Sequence, residues 1–321
     1  MYAYIAGTGS YLPEKVLTNA DLEKFVDTTD EWIRTRSGIE SRHVAGDDET
    51  TTDLAERAAR RAMEAAGVGP GDIDLICVGT TTPDLVFPNV GTLLQERLGI
   101  HGCPAFSLEA ACAGFIYALG VAEKFVRDGT SKCALVIGAD TLTKIVDWKD
   151  RATCVLFADG AGAVILKASE RPGIINTHLH ADGRYKDLLQ YPDGVSKGFK
   201  LMRAGKAGVQ MKGSEVYKVA VTTLGALVTE TLEANNIAKQ DIDWLIPHQA
   251  NIRIIEAIAR RLDMPMERVI VTIKNQGNTS AASVPVALDT GIRDGRIERG
   301  QLLLLEAFGG GFTWGSALVR Y

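Results

Sequence analysis

Apolar residues along the chain switch between two periods. From residue 51 to 66 they recur on one helical face, at Leu54, Ala58, Ala62 and Ala65, and the run stops at Gly67, which predicts a helix closed by a glycine. Val90 to Leu98 followed by Gly99 has the same form. Residues 2–10, Ile73-Asp74-Leu75-Ile76-Cys77-Val78, Ala134–Ile137 and Gly162–Leu166 read as strands, and helices are expected over 215–234 and 252–262 around a strand at Trp244-Leu245-Ile246. One stretch fits neither an amphipathic helix nor a strand: between Glu109 and Glu123 almost no side chain is polar. A helix apolar all round belongs in the middle of a protein. Cys112 stands at its expected start, where free N–H groups and the helix dipole favour a thiolate, and it is the candidate nucleophile.

The pattern repeats. Asp72-Ile73-Asp74 precedes a strand and follows a helix, and Asp241-Ile242-Asp243 does the same 169 residues later. Arg127-Asp128-Gly129 returns as Arg293-Asp294-Gly295, 166 residues on. Counting back sixteen residues from each of these aspartates reaches Cys112 and Asn278, so the two are expected at equivalent starts of two central helices. So long a repeat indicates a duplicated α/β domain, divided here as 1–170 and 171–321, rather than a solenoid. Alternating strands and helices imply mainly parallel sheets covered on both faces. Residues 181–212, rich in Gly, Lys and Asp, interrupt the pattern; they read as a long insertion near the site, either a lid or a surface loop.

Composition narrows the class. At 321 residues, 46% hydrophobic and 23% charged, the chain is an ordinary globular protein, and a net charge of −5 argues against general nucleic-acid binding. No run of about 18 apolar residues could span a bilayer and no leader pattern opens the sequence, so a cytoplasmic protein is expected. Five cysteines without metal-ligand spacing make neither a disulfide framework nor a zinc site, and no metal is expected. Gly7-Thr8-Gly9-Ser10 does not open a helix with a later acidic partner, so a dinucleotide site is a weak reading.

Three further stretches belong at strand ends facing a crevice. His248 lies just past a buried strand, Asn278 sits in Asn275-Gln276-Gly277-Asn278-Thr279-Ser280, and Glu306-Ala307-Phe308-Gly309-Gly310-Gly311-Phe312 is a glycine-rich turn whose backbone N–H groups can approach a substrate. Each alone has a structural explanation as a loop histidine, a helix cap or a tight turn. With Cys112 they make a thiol nucleophile, two neutral hydrogen-bond donors and an oxyanion turn.

These motifs, together with Ala111-Cys112-Ala113-Gly114-Phe115 and His248-Gln249-Ala250-Asn251, resemble β-ketoacyl-acyl-carrier-protein synthase III of the thiolase superfamily, over Gly7 to Tyr321. In one departure, an aromatic residue more often stands where Gln276 is. The resemblance implies a duplicated thiolase-like fold, five-layer αβαβα with two mixed sheets around central helices, and a Cys112-His248-Asn278 triad. It implies a decarboxylative condensation of an acyl-CoA, typically acetyl-CoA, with malonyl-acyl-carrier protein through an acyl-Cys112 intermediate, with CoA as substrate and no cofactor. The N–H groups of Cys112 and Gly310 would form the oxyanion hole. Trp32, Arg36, Arg151 and Asn251 would bind CoA and its pantetheine arm, and Phe87 and Phe308 the acyl group, Phe87 from the partner of a homodimer. Lys218, Arg253 and Arg260 would steer the acidic carrier protein.

Other readings separate by chemistry. A 3-hydroxy-3-methylglutaryl-CoA synthase needs a glutamate base, for which only Glu109 stands near. A type III polyketide synthase would not need the basic patch. A papain-like cysteine hydrolase would release free acid. A non-catalytic acyl-CoA-binding protein would tolerate loss of Cys112.

Overall fold

The computed structural model describes residues 1–321. Local signals set most elements. Thr50 and Asp53 form a capping box at the start of helix Thr51–Ala66, and Gly67 ends it in the left-handed conformation at φ 62°. Leu54, Ala55, Ala58, Ala59 and Ala62 line its buried face. Those alanines let strand Tyr2–Tyr11 approach closely: a Cβ on Gly9 would lie 2.4 Å from Ala58 O. Helix Val90–Leu98 is capped by Asn89 and closed by Gly99, as its pattern predicts.

Five strands form the first sheet, in the order Tyr2–Tyr11, Asp159–Ser169, Cys133–Thr141, Leu75–Gly79, Ala105–Leu108. Four form the second: Trp244–Pro247, Leu302–Gly309, Thr313–Arg320, Ile174–Ala181. The chain therefore fills the first sheet before entering the second. Both sheets are mixed, not mainly parallel. Parallel pairing holds only where a helix crosses over, between Leu75–Gly79 and its two neighbours and between Trp244–Pro247 and Leu302–Gly309; the remaining pairs are antiparallel.

Helices Gly114–Arg127 and Ser283–Arg293 lie between the sheets. The strands alternate across the layers: Leu303, Leu305 and Ala307 face these helices, while Leu302, Leu304 and Phe308 face the outer layer of helices Gly213–Asn235 and Ile252–Arg261. Thr51–Ala66 and Val90–Leu98 cover the first sheet from outside. This is the duplicated thiolase-like α/β fold in five layers.

The structure corrects one equivalence. Each central helix follows a tight 3₁₀ turn, Ala111–Ala113 or Ser280–Ala282, so helix starts and turns are both 169 residues apart. The partner of Cys112 in the repeat is thus Ala281, not Asn278. The second helix has 11 residues against 14, and this loss of nearly one turn produces the 166-residue spacing at the helix ends. The insertion is ordered as well: Leu189–Gln190 pairs antiparallel with Gln210–Met211. Sequence patterning missed helix Asp30–Ser37, which carries Trp32. Its buried residues are only Ile33 and Ser37, too few for a visible stripe.

Candidate active site

Cys112 lies in the turn before its helix rather than at the helix start. Ala111 precedes it at φ 44°, a conformation costly for a residue with a Cβ, and Ser280 repeats this at φ 52° in the second half. Neighbouring groups hold the turn: Ala111 N donates to Glu109 Oε1 (2.8 Å) and Thr313 Oγ1 to Ala110 O (2.7 Å). Gly309 passes directly over it, and a Cβ there would lie 2.6 Å from Cys112 N.

The two turns meet. Ser280 Oγ donates to Cys112 Sγ at 3.4 Å, across 168 residues of sequence. Asn278 stands two residues earlier with its backbone clamped on both sides: its N donates to Leu156 O (2.9 Å) and its O accepts from Ala158 N (2.9 Å). Ser280 N donates to Asn278 Oδ1 at 2.9 Å. The amide oxygen is thereby occupied, and the Nδ2 hydrogens remain for another acceptor. His248 follows strand Trp244–Pro247, anchored by its N–H to Glu306 O (2.8 Å), and its Nδ1 lies 2.5 Å from Ser283 Oγ.

Burial sets the charge states. It pushes the Cys112 thiol up to about 12, with Asp140 and Glu109 adding to the rise and the Ser280 hydroxyl and the residue's own N–H opposing it. This runs against the expectation of a thiolate stabilised at a helix end. The cysteine is buried at the pocket floor and precedes the helix, and desolvation is the largest influence on it. Burial also pushes His248 down to about 3, leaving a neutral imidazole. The resting pair is a thiol and a neutral donor, not an ion pair.

Cys112, His248 and Asn278 line one pocket of about 610 Å³, together with Trp32, Arg36, Asn251, Phe308, Lys218 and Arg253. Val155, Leu156, Phe157, Leu189, Met211 and Leu224 add apolar wall, and no carboxylate lines it. The insertion thus reaches the site through Leu189 and Met211. At the far end Arg36 lies over the Trp32 ring at 4.5 Å and Arg151, just outside the lining, at 5.2 Å. Neutral groups at the floor and cations at the mouth suit an anionic substrate with an uncharged reacting end.

Four predicted residues stand differently. Asn251 caps helix Ile252–Arg261 through Arg253 N (2.9 Å) and donates to Arg36 O (2.8 Å), so its amide also fixes the pocket wall. Arg260 lies outside the pocket, 3.9 Å from Glu256. Gly310 backs onto Leu189 O, and Gly309 is the glycine against Cys112 N. Phe87 is 83% exposed and does not reach the pocket of its own chain.

Several residues here were not singled out from sequence. Asp140 accepts from Thr81 N (2.8 Å), Thr80 Oγ1 (3.1 Å) and Ala281 N (3.1 Å), tying the loop before Phe87 to the turn beside Cys112. Glu306 is fully buried, neither carboxyl oxygen has a partner, and burial pushes it up to about 8. Ser280 and Ser283 are the others; the 169-residue spacing pairs them with Ala111 and Gly114 in the repeat but does not reveal their contacts with Cys112 and His248. No three His, Cys, Asp or Glu side chains come together as metal ligands, and no helix is long and apolar enough to cross a membrane.

Comparison with known proteins shows the family. Residues 106–183 match the family described as 3-oxoacyl-[acyl-carrier-protein (ACP)] synthase III, and 232–321 match its C-terminal part. The chain is 66% identical over 320 residues to beta-ketoacyl-[acyl-carrier-protein] synthase III of Thioalkalivibrio sulfidiphilus, covering 100% of this chain and 99% of that one. Among solved structures, the 3-oxoacyl-[acyl-carrier-protein] synthase III of Aquifex aeolicus superposes with a TM-score of 0.94 at 46% identity, covering 99% and 100% of the two chains. The Pseudomonas aeruginosa enzyme of the same name gives 0.93 at 40% identity, covering 100% and 98%.

Proposed function

The chain belongs to the β-ketoacyl-acyl-carrier-protein synthase III family of condensing acyltransferases in fatty-acid biosynthesis, and from that premise we propose that it condenses acetyl-CoA with malonyl-acyl-carrier protein through an acyl-Cys112 intermediate. One observation carries this reading: Cys112, His248 and Asn278 line the same pocket whose mouth holds Trp32 and the cations Arg36, Lys218 and Arg253.

The CoA nucleotide rests at Trp32, Arg36 and Arg151, and its arm runs past Asn251 to the floor. Cys112 Sγ attacks the thioester carbon; the CoA–carbon bond breaks and CoA leaves as a thiol with the cysteine's proton. With the thiol at about 12, the proton departs during attack rather than before it. The N–H groups of Cys112 and Gly310 hold the tetrahedral oxyanion, where loss of one such donor costs about 3 kcal/mol. The malonyl arm then takes the place of CoA. His248 and Asn278 donate to its thioester oxygen, the bond to the carboxylate breaks, CO2 leaves, and the enolate carbon attacks the acyl carbon; the acyl–sulfur bond breaks and the Cys112 thiolate takes a proton from solvent to restore the thiol. Neutral donors stabilise an enolate without holding the carboxylate back.

Residues 1–170 supply the nucleophile and 171–321 the two donors. Phe308 lies against the acyl group, and Lys218, Arg253 and Arg260 receive the acidic carrier. A second copy completes the site in the cytoplasmic protein. Leu85, Val86 and Phe87 are 49%, 62% and 83% exposed in succession, and strand Ala105–Leu108 pairs on one edge only, which supports an interface there.

Intact-mass spectrometry tests the reaction. Incubation with acetyl-CoA is expected to add one acetyl group, absent in Cys112→Ala, and malonyl-acyl-carrier protein is expected to discharge it as 3-oxobutanoyl-carrier protein. Discharge by water alone would instead establish a hydrolase.

A further inference from the structure

We infer that Ser283 is a positioning residue: its hydroxyl donates to His248 Nδ1 and fixes the ring in the tautomer that carries hydrogen on Nε2. This rests on the donor role proposed above for His248 and adds what enforces it.

A hydrogen count leads there. Ser283 Oγ lies 2.5 Å from His248 Nδ1, and Gln249 N donates to the same oxygen at 3.4 Å. The oxygen thus accepts one backbone hydrogen and has one of its own to give, with Nδ1 as its acceptor. The reverse arrangement, with Nδ1–H donating to Ser283, leaves a buried hydroxyl hydrogen without an acceptor. Both side chains are buried, so water does not supply the missing partner. With Nδ1 occupied as acceptor, a neutral ring carries its hydrogen on Nε2.

The duplication isolates this contact from the fold's own needs. At the 169-residue spacing, His248 corresponds to Gly79 and Ser283 to Gly114: each half has a strand end lying on the start of a central helix. In the first half the contact is glycine on glycine, and a Cβ on Gly79 would lie 2.3 Å from the Gly114 carbonyl carbon. The first-half junction has no room for side chains. In the second half the equivalent positions hold a histidine and the hydroxyl that orients it, so the duplication has made this junction a place for two polar side chains.

Two readouts test this. In protein labelled with 15N-histidine, with His248→Asn identifying the resonance among the five histidines, the wild type is expected to show Nε2–H, and Ser283→Ala is expected to move His248 toward the Nδ1–H form. Ser283→Ala should lower the malonyl decarboxylation kcat roughly 10- to 100-fold, less than or equal to the loss of a whole donor, with KM and the rate of Cys112 acetylation nearly unchanged. Ser283→Thr should restore both signals. An unchanged tautomer in Ser283→Ala overturns the inference. So does an equal fall in acetylation and decarboxylation with a lowered Tm, which marks a packing role. A shifted tautomer with undiminished decarboxylation supports Ser283 as the tautomer's determinant and overturns the donor role of His248.

Discussion

Gly309→Ala is the sharpest test of how the fold holds the nucleophile. The new Cβ would stand 2.6 Å from Cys112 N, 3.0 Å from Ala113 N and 3.1 Å from Ala111 Cβ. Ordinary contact lies near 3.5 Å, so the strand end and the turn must separate by roughly 0.9 Å. Neither yields easily. Gly309 is paired to Thr313 in the sheet, and the turn is pinned by Glu109, Thr313 and the Ala113-to-Ala110 hydrogen bond. Overpacking of this kind costs about 1–3 kcal/mol of stability. Displacement of a reacting atom by about 1 Å costs on the order of 100-fold in rate. Acetylation of Cys112 followed by intact mass over time, beside a melting curve, reads both. Gly183→Ala is the control, since its Cβ meets nothing within 4 Å. It should leave both the melting temperature and acetylation unchanged. If Gly309→Ala melts lower but acetylates at the wild-type rate, the turn does not set the thiol's position and this account is wrong.

Three more expectations follow from the site. Because burial pushes Cys112 up to about 12, iodoacetamide inactivation should climb about tenfold per pH unit with no plateau below about pH 10; a plateau near neutrality would mean a stabilised thiolate after all. Glu306, pushed up to about 8 from 4.5, keeps in the folded state a proton that the unfolded chain releases, so its contribution is full below pH 4.5 and stability declines as pH rises through 8. Glu306→Gln should flatten that decline in Tm between about pH 5 and pH 8, and an equal slope in both proteins would show that the carboxyl finds a partner. Trp32→Ala removes the ring beneath Arg36 and Arg151 and should raise the KM for acetyl-CoA about tenfold, near 1.4 kcal/mol, without changing Tm; an unchanged KM would move the nucleotide site elsewhere.

The sequence by itself determined what depends on neighbours along the chain. Caps and periods fixed helices 51–66 and 90–98, because Thr50, Asp53, Gly67 and Gly99 act on residues within one turn. The spacing of Asp-Ile-Asp revealed the duplication, and the unbroken apolar run marked a central helix. Motif resemblance named the three residues that line the pocket floor. Tertiary structure decided the rest. That Ala281, not Asn278, mirrors Cys112 depended on one helix being nearly a turn shorter, which no count along the chain exposes. The contacts of Ser280 with Cys112 and of Asp140 with Ala281 span 168 and 141 residues and exist only once the two halves close. Burial works against the Cys112 thiolate for the same reason. A helix start favours a thiolate through nearby peptide dipoles, a local effect readable from sequence, whereas desolvation is the sum of everything packed around the sulfur. Only the folded chain assembles that sum.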